Sequence, residues 1–150
     1  MPSKHKITWS QIDEDCDRIS RRITPCDCIV ALGRGGLIPG VIISYKINCY
    51  VFNFGIQRYK SDNTPGDLWI IQTLGDDFIK KYKNKSVVVL DDLSDKGNTL
   101  MQAKEFLKLH NFTNVKFATL YTKKSTKFIP DYYLKEFDDD IWLDFPWENI

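Results

Sequence analysis

One hundred and fifty residues, 43% hydrophobic and 27% charged, make one ordinary domain over 1–150, long enough to bury a real core. With 21 basic against 20 acidic side chains the net charge is +1, which gives no global field for nucleic acid or an anionic membrane. Met1-Pro2-Ser3-Lys4-His5 leads into polar sequence without an apolar signal core, and no run reaches membrane-span length, so the expected chain is cytoplasmic with no stable membrane insertion.

Thr8-Trp9-Ser10-Gln11 and Ser10-Gln11-Ile12-Asp13 each fit a capping box, and Ile12, Cys16, Ile19 and Ile23 then recur at helical spacing. This predicts an amphipathic helix that ends near Thr24-Pro25. Cys16, Cys26, Cys28 and Cys49 lack the second close pair of a tetrahedral zinc site, so they read as reduced, mostly buried thiols. Cys28-Ile29-Val30-Ala31-Leu32 reads as a buried strand, and Leu37 to Tyr45, with Pro39 in the first turn, as a helix. Between them Gly33, Arg34, Gly35 and Gly36 suit close backbone approach to a polyanion, with Arg34 supplying charge. Taken alone, that loop fits a tight turn before a helix better than any standard phosphate-loop pattern.

Cys49 to Phe54 is a further strand. From Gln57 to Asp67 the chain turns polar, a long loop, and Leu68-Trp69-Ile70-Ile71 returns to strand as the other half of a hairpin. Asp76 to Tyr82 predicts a surface turn or a brief helix. Lysines gather at Lys80, Lys81, Lys83 and Lys85 and again at Lys123, Lys124 and Lys127; such clusters are more often solvated faces than binding patches.

The organising stretch is Ser86 to Leu109. Val87-Val88-Val89-Leu90 reads as a strand buried on both faces, and Leu100, Ala103, Phe106 and Leu107 mark the inner side of a helix. The loop between them holds Asp91, Asp92, Ser94, Asp95, Lys96 and Gly97, with Asn98 or Thr99 to cap the helix. In an α/β sheet this is where ligands bind. A phosphate suits the Gly97–Thr99 end, whereas Asp91 and Asp92 suit a sugar diol reached directly or through a hard cation such as Mg²⁺. A ribose 5-phosphate unit along the loop satisfies both ends.

Val115 to Tyr121 makes another strand and delivers Thr122-Lys123-Lys124-Ser125 on the same side. Lys123 is there either as a donor to a ligand's exocyclic oxygen or as one exposed lysine among several. In the tail, Asp138 to Glu148 combines acids with large rings and should pack; Trp142 suits a base-stacking platform or a core or interface position, and backbone groups near Leu143 suit reading a base edge.

Val88 to Leu100 resembles the phosphoribosyl-diphosphate (PRPP) binding motif of the type I phosphoribosyltransferases, with Lys96 in place of a usual threonine. Ala31 to Gly40 and Ile141 to Glu148 are similar to the pyrophosphate loop and base-stacking segment of the xanthine-guanine type, and Lys123 matches its base-binding lysine. The resemblance implies an α/β fold, a mainly parallel twisted sheet flanked by helices with a small hood. It implies an Mg²⁺-dependent purine phosphoribosyltransferase that acts on PRPP and a purine base and assembles as a homodimer or homotetramer. By the same likeness, Gly33, Arg34, Gly35, Gly36, Asp91, Asp92, Ser94, Asp95, Lys96, Gly97, Asn98 and Thr99 hold PRPP. Asp91 and Asp92 face the metal, Asp95 acts as general base, Lys123, Trp142 and Leu143 take the base, and the polar 57–67 loop covers the site. Rival readings are an enzyme for another base and a non-catalytic nucleotide-sensing regulator. Near-neutral charge argues against an RNA surface.

Overall fold

The computed structural model describes residues 3–58 and 68–149. Its centre is a six-stranded sheet in the order β4-β3-β2-β5-β6-β7, formed by β2 (Cys28–Gly33), β3 (Tyr50–Arg58), β4 (Leu68–Gln72), β5 (Ser86–Ser94), β6 (Asn114–Lys123) and β7 (Lys135–Phe137). Every pairing is parallel except the β3–β4 hairpin. β2 is buried at all six positions, as an unbroken apolar run in a doubly covered parallel sheet should be.

Helix α1 (Trp9–Ile23) is capped by Thr8, whose hydroxyl accepts from the Gln11 amide, and it buries Ile12, Cys16, Ile19 and Ile23. It packs with α2 (Leu37–Ile47) on one side of the sheet. There the core gathers Ile12, Ile29, Ile43, Leu90 and Leu120; a second cluster gathers Val30, Phe54, Val89, Leu100 and Leu107 with α3 (Asp76–Tyr82) and α4 (Asn98–Leu109). α3 settles the choice between turn and helix at Asp76–Tyr82, because Phe78 and Tyr82 both reach the core and stack against each other.

A small parallel pair, β1 (Ser3–Lys6) with β8 (Ile141–Asp144), forms the hood, followed by a 3₁₀ turn at Pro146–Glu148. β1 is exposed throughout, so its Ser-Lys-His-Lys sequence carries no pattern and only the partner strand makes it one. Among the described residues all four cysteines are free. Burial pushes the Cys16, Cys26 and Cys28 thiols up to about 12, which leaves little nucleophilic thiolate. No helix among the described residues is long and apolar enough to cross a membrane.

Three sequence expectations shift in register. β5 does not stop at Leu90: β6 keeps pairing with it to Leu93↔Tyr121 and Ser94↔Thr122, so Asp91, Asp92 and Ser94 sit on a strand and the loop shrinks to Asp95–Gly97. β3 likewise runs to Arg58 because β4 pairs with it there, which places Gln57 in the hairpin; the rest of the expected covering loop, 59–67, lies outside the described residues. Lys123 closes β6 rather than opening a loop.

Candidate active site

The carboxyl ends of β2 and β5 meet at a cleft of about 390 Å³ lined by Gly33, Arg34, Gly35, Asp91, Asp92 and Thr99, with Ile56 and Gln57 of β3 to one side and Glu148 from the tail. That is the crevice where open α/β sheets hold ligands. The sequence expected its glycine-arginine and acidic components to meet, and the sheet brings them together. The Gly33–Arg34 peptide is cis.

Asp91 and Asp92 stand side by side, the Asp92 amide donating to Asp91 Oδ1 at 2.8 Å. Burial first, and the adjoining Asp92 carboxylate second, hold Asp91 well above the usual carboxylate range. Burial raises Asp92 too, opposed by its hydrogen bond with Asp91. The two therefore titrate as a pair, and holding both charged costs free energy. Asp91→Asn should remove that cost. A group whose folded pKa is raised loses stability as pH rises from its unfolded value through the folded one, so the Asn variant should be the more stable protein at neutral pH without ligand. Its advantage should fade as pH falls below the unfolded carboxylate range. Urea midpoints of both proteins across pH 3 to 8 check this, and a variant equal to or less stable than the parent at neutral pH would contradict it.

Glu148 closes the Ile141–Glu148 segment of the resemblance but had no role of its own there, because a lone acid carries no motif. Burial, then the charges of Asp92 and Asp144, push its carboxyl up, while Arg34 pulls it down, which puts it electrically between the loop and the acidic pair. All these donors are oxygens, the chemistry of a hard divalent cation. Among the described residues no three such groups converge into a cage. Asp91 and Asp92 are the residues that would hold a Mg²⁺ ion, and the ion would supply positive charge beside a polyanionic substrate.

Past the acidic pair, Asp95 and Lys96 are exposed. Lys96 forms no ion pair with Asp91, Asp92 or Asp95 among the described residues. The helix cap is Gly97 rather than Asn98 or Thr99: at φ 90° it turns the chain into α4 with no side-chain cap. The first-turn N–H groups of a helix have no intrahelical partner, so this uncapped end is open to an anion. Ser94 differs from its neighbours, since it is buried and its hydroxyl donates to Phe128 O at 2.8 Å and lies 2.9 Å from Thr126 Oγ1. It braces the 126–128 segment, which in turn meets Gly97; the hydroxyl is not turned to the cleft.

Lys123 is only 6% exposed, which excludes the solvated-lysine reading. Its ammonium donates to Ile141 O and, at 3.4 Å, to Asp138 O, tying the end of β6 to the hood. Among the described residues its ammonium has no third acceptor, so one N–H of the three is left open. Trp142 is 58% exposed, so it is no core residue and its ring is available as a platform. Leu143 is buried, which leaves only its backbone for recognition.

The family model for the phosphoribosyl transferase domain matches residues 8–150, and the chain belongs to that family. It is a phosphoribosyltransferase enzyme. It is 28% identical over 146 residues to a xanthine-guanine phosphoribosyltransferase of Idiomarina loihiensis, covering 95% of this chain and 85% of that protein. A xanthine-guanine phosphoribosyltransferase of Nitratidesulfovibrio vulgaris (strain Hildenborough) is also 28% identical, over 95% of this chain and 83% of that one. The crystal structure of a purine phosphoribosyltransferase from Pyrococcus horikoshii superposes with a TM-score of 0.84 at 31% identity, over 98% of this chain and 95% of that one.

Proposed function

We propose that this chain transfers the 5-phosphoribosyl group of PRPP to a 6-oxopurine, guanine, xanthine or hypoxanthine, releasing pyrophosphate and a purine nucleotide. The observation that carries this is the cleft in which the Gly33–Gly36 loop, Asp91, Asp92 and the α4 end adjoin one another. The relatives named xanthine-guanine enzymes support the choice of base.

In this reading the pyrophosphate lies on Gly33, Gly35 and Gly36 with Arg34 against its charge, and the 5-phosphate on the N–H groups from Lys96 to Thr99. Asp91 and Asp92 hold the ribose hydroxyls, directly or across the metal. Mg²⁺, when bound, would neutralise pyrophosphate charge. The anomeric carbon–oxygen bond breaks, the bond to the purine nitrogen forms, and Asp95 takes the proton that nitrogen loses. Trp142 stacks on the base, backbone near Leu143 reads its edge, and Lys123 donates to the exocyclic oxygen. The reading goes with a cytoplasmic salvage enzyme. It also goes with a homodimer or homotetramer, for which the exposed Val41 and Tyr45 of α2 offer apolar surface; light scattering checks the assembly.

Incubation with PRPP, Mg²⁺ and each base, followed by chromatography of the nucleotides, tests the substrate class: a 6-oxopurine should give product and uracil or orotate none. Lys123→Ala should raise the KM for the purine by roughly tenfold or more, for loss of a charged hydrogen bond worth about 1.5–3 kcal/mol, and should leave the KM for PRPP nearly unchanged. Equal effects on both substrates would leave Lys123 only its tie to Ile141 and Asp138.

A further inference from the structure

Away from the cleft, α1, β1, β6 and β7 enclose a second cavity of about 200 Å³. Its floor is Asp15, a carboxylate only 2% exposed. Asp15 Oδ2 accepts from Tyr121 OH at 2.5 Å and from Gln11 Nε2 at 3.3 Å, while Oδ1 has no hydrogen-bond partner among the described residues. Asp15 Oδ1 is not sealed off in the core; it opens on the cavity and is the acceptor an occupant would meet. The walls include Leu134 and Phe137, and the mouth carries Arg18, Lys135 and His5. Among the described residues Arg18 is tied only to Glu14, in an exposed pair of little energetic weight, and can turn to another acceptor.

These groups constrain an occupant by charge and size. A simple cation that reached Asp15 would be repelled by the basic mouth, and a simple anion at the mouth would leave Asp15 unmet. The volume is below the 300–1,000 Å³ usual for drug-sized ligands, which excludes anything large. We propose that this cavity is a second ligand site for a small zwitterion, an α-amino acid with an apolar side chain. Its ammonium donates to Asp15, its side chain lies against Leu134 and Phe137, and its carboxylate faces Arg18 and Lys135. His5 stands in register with Leu143 across the hood, so the occupant would touch the sheet that carries Trp142.

Isothermal titration calorimetry on the full chain, with no PRPP or purine present, tests this using L-leucine and L-phenylalanine as probes. Butylamine and sodium butyrate serve as the separated halves, and inorganic phosphate as the bare anion. At least one amino acid should bind, with every half-molecule at least roughly tenfold weaker, the size of one lost charged hydrogen bond. Asp15→Asn should weaken binding by at least that factor. Because Asp15 also supports Tyr121, the exposed variants Arg18→Gln and Lys135→Gln, which leave the core intact, should each weaken it several-fold. The proposal is overturned if neither amino acid binds at millimolar concentration, if all three variants bind as the parent does, or if phosphate or butyrate alone binds as tightly.

Discussion

Asp95→Asn is expected to lower turnover by roughly two to four orders of magnitude, the range for loss of a general base, while PRPP still binds and the fold holds. The structure gives the reason for both halves. Asp95 is exposed at the tip of the turn between β5 and α4, so an isosteric amide there disturbs no packing. Asp91 and Asp92 lie a few residues earlier on the strand itself and keep their side-by-side arrangement without it. Stopped-flow turnover, PRPP titration and a thermal melt on one preparation separate these effects. Turnover within a few-fold of the parent would remove Asp95 from the chemistry.

The second large effect separates two adjacent glycines. A Cβ on Gly36 would fall 2.4 Å from Leu90 O and 2.9 Å from Leu32 O, both backbone atoms of the central strands. Neither can retreat without opening the β2–β5 region, so Gly36→Ala should cost about 1–3 kcal/mol or more of stability as overpacking does, and take activity with it. At Gly35 the Cβ would instead meet the Asp92 carboxylate at 2.5–2.7 Å. That side chain can swing aside, so Gly35→Ala should melt close to the parent yet lose most of its activity, because the displaced acid no longer pairs with Asp91. Urea midpoints with kcat/KM for each variant decide it. If Gly35→Ala were active and stable, close packing of this loop on Asp92 would have no part in function.

What was legible beforehand follows from where the signal resides. β2, β5, α1 and α2 were readable because burial on one or both faces writes itself into an apolar run or a helical stripe. The ends of β5 and β3 were not, since their extension depends on a neighbouring strand continuing to pair past the last apolar residue. β1 was invisible for the same reason in stronger form: all four residues are polar or charged, and their partner lies at Ile141–Asp144. At the site, the glycine-arginine loop and the acidic pair came from motifs. The Ser94 hydroxyl, the place of Glu148 at the cleft and the Lys123 tie to Ile141 O came only from tertiary contacts between distant segments.

The chemistry proposed for the cleft is to break the bond between ribose and pyrophosphate in answer to a purine. The direct measurement is pyrophosphate release from PRPP, followed continuously as guanine, xanthine or hypoxanthine is added in the presence of Mg²⁺. The prediction is release that begins only with the base, matches nucleotide mole for mole, and stops when Mg²⁺ is chelated. Release that is independent of every 6-oxopurine, or none with any of them while PRPP is shown to bind, would contradict it.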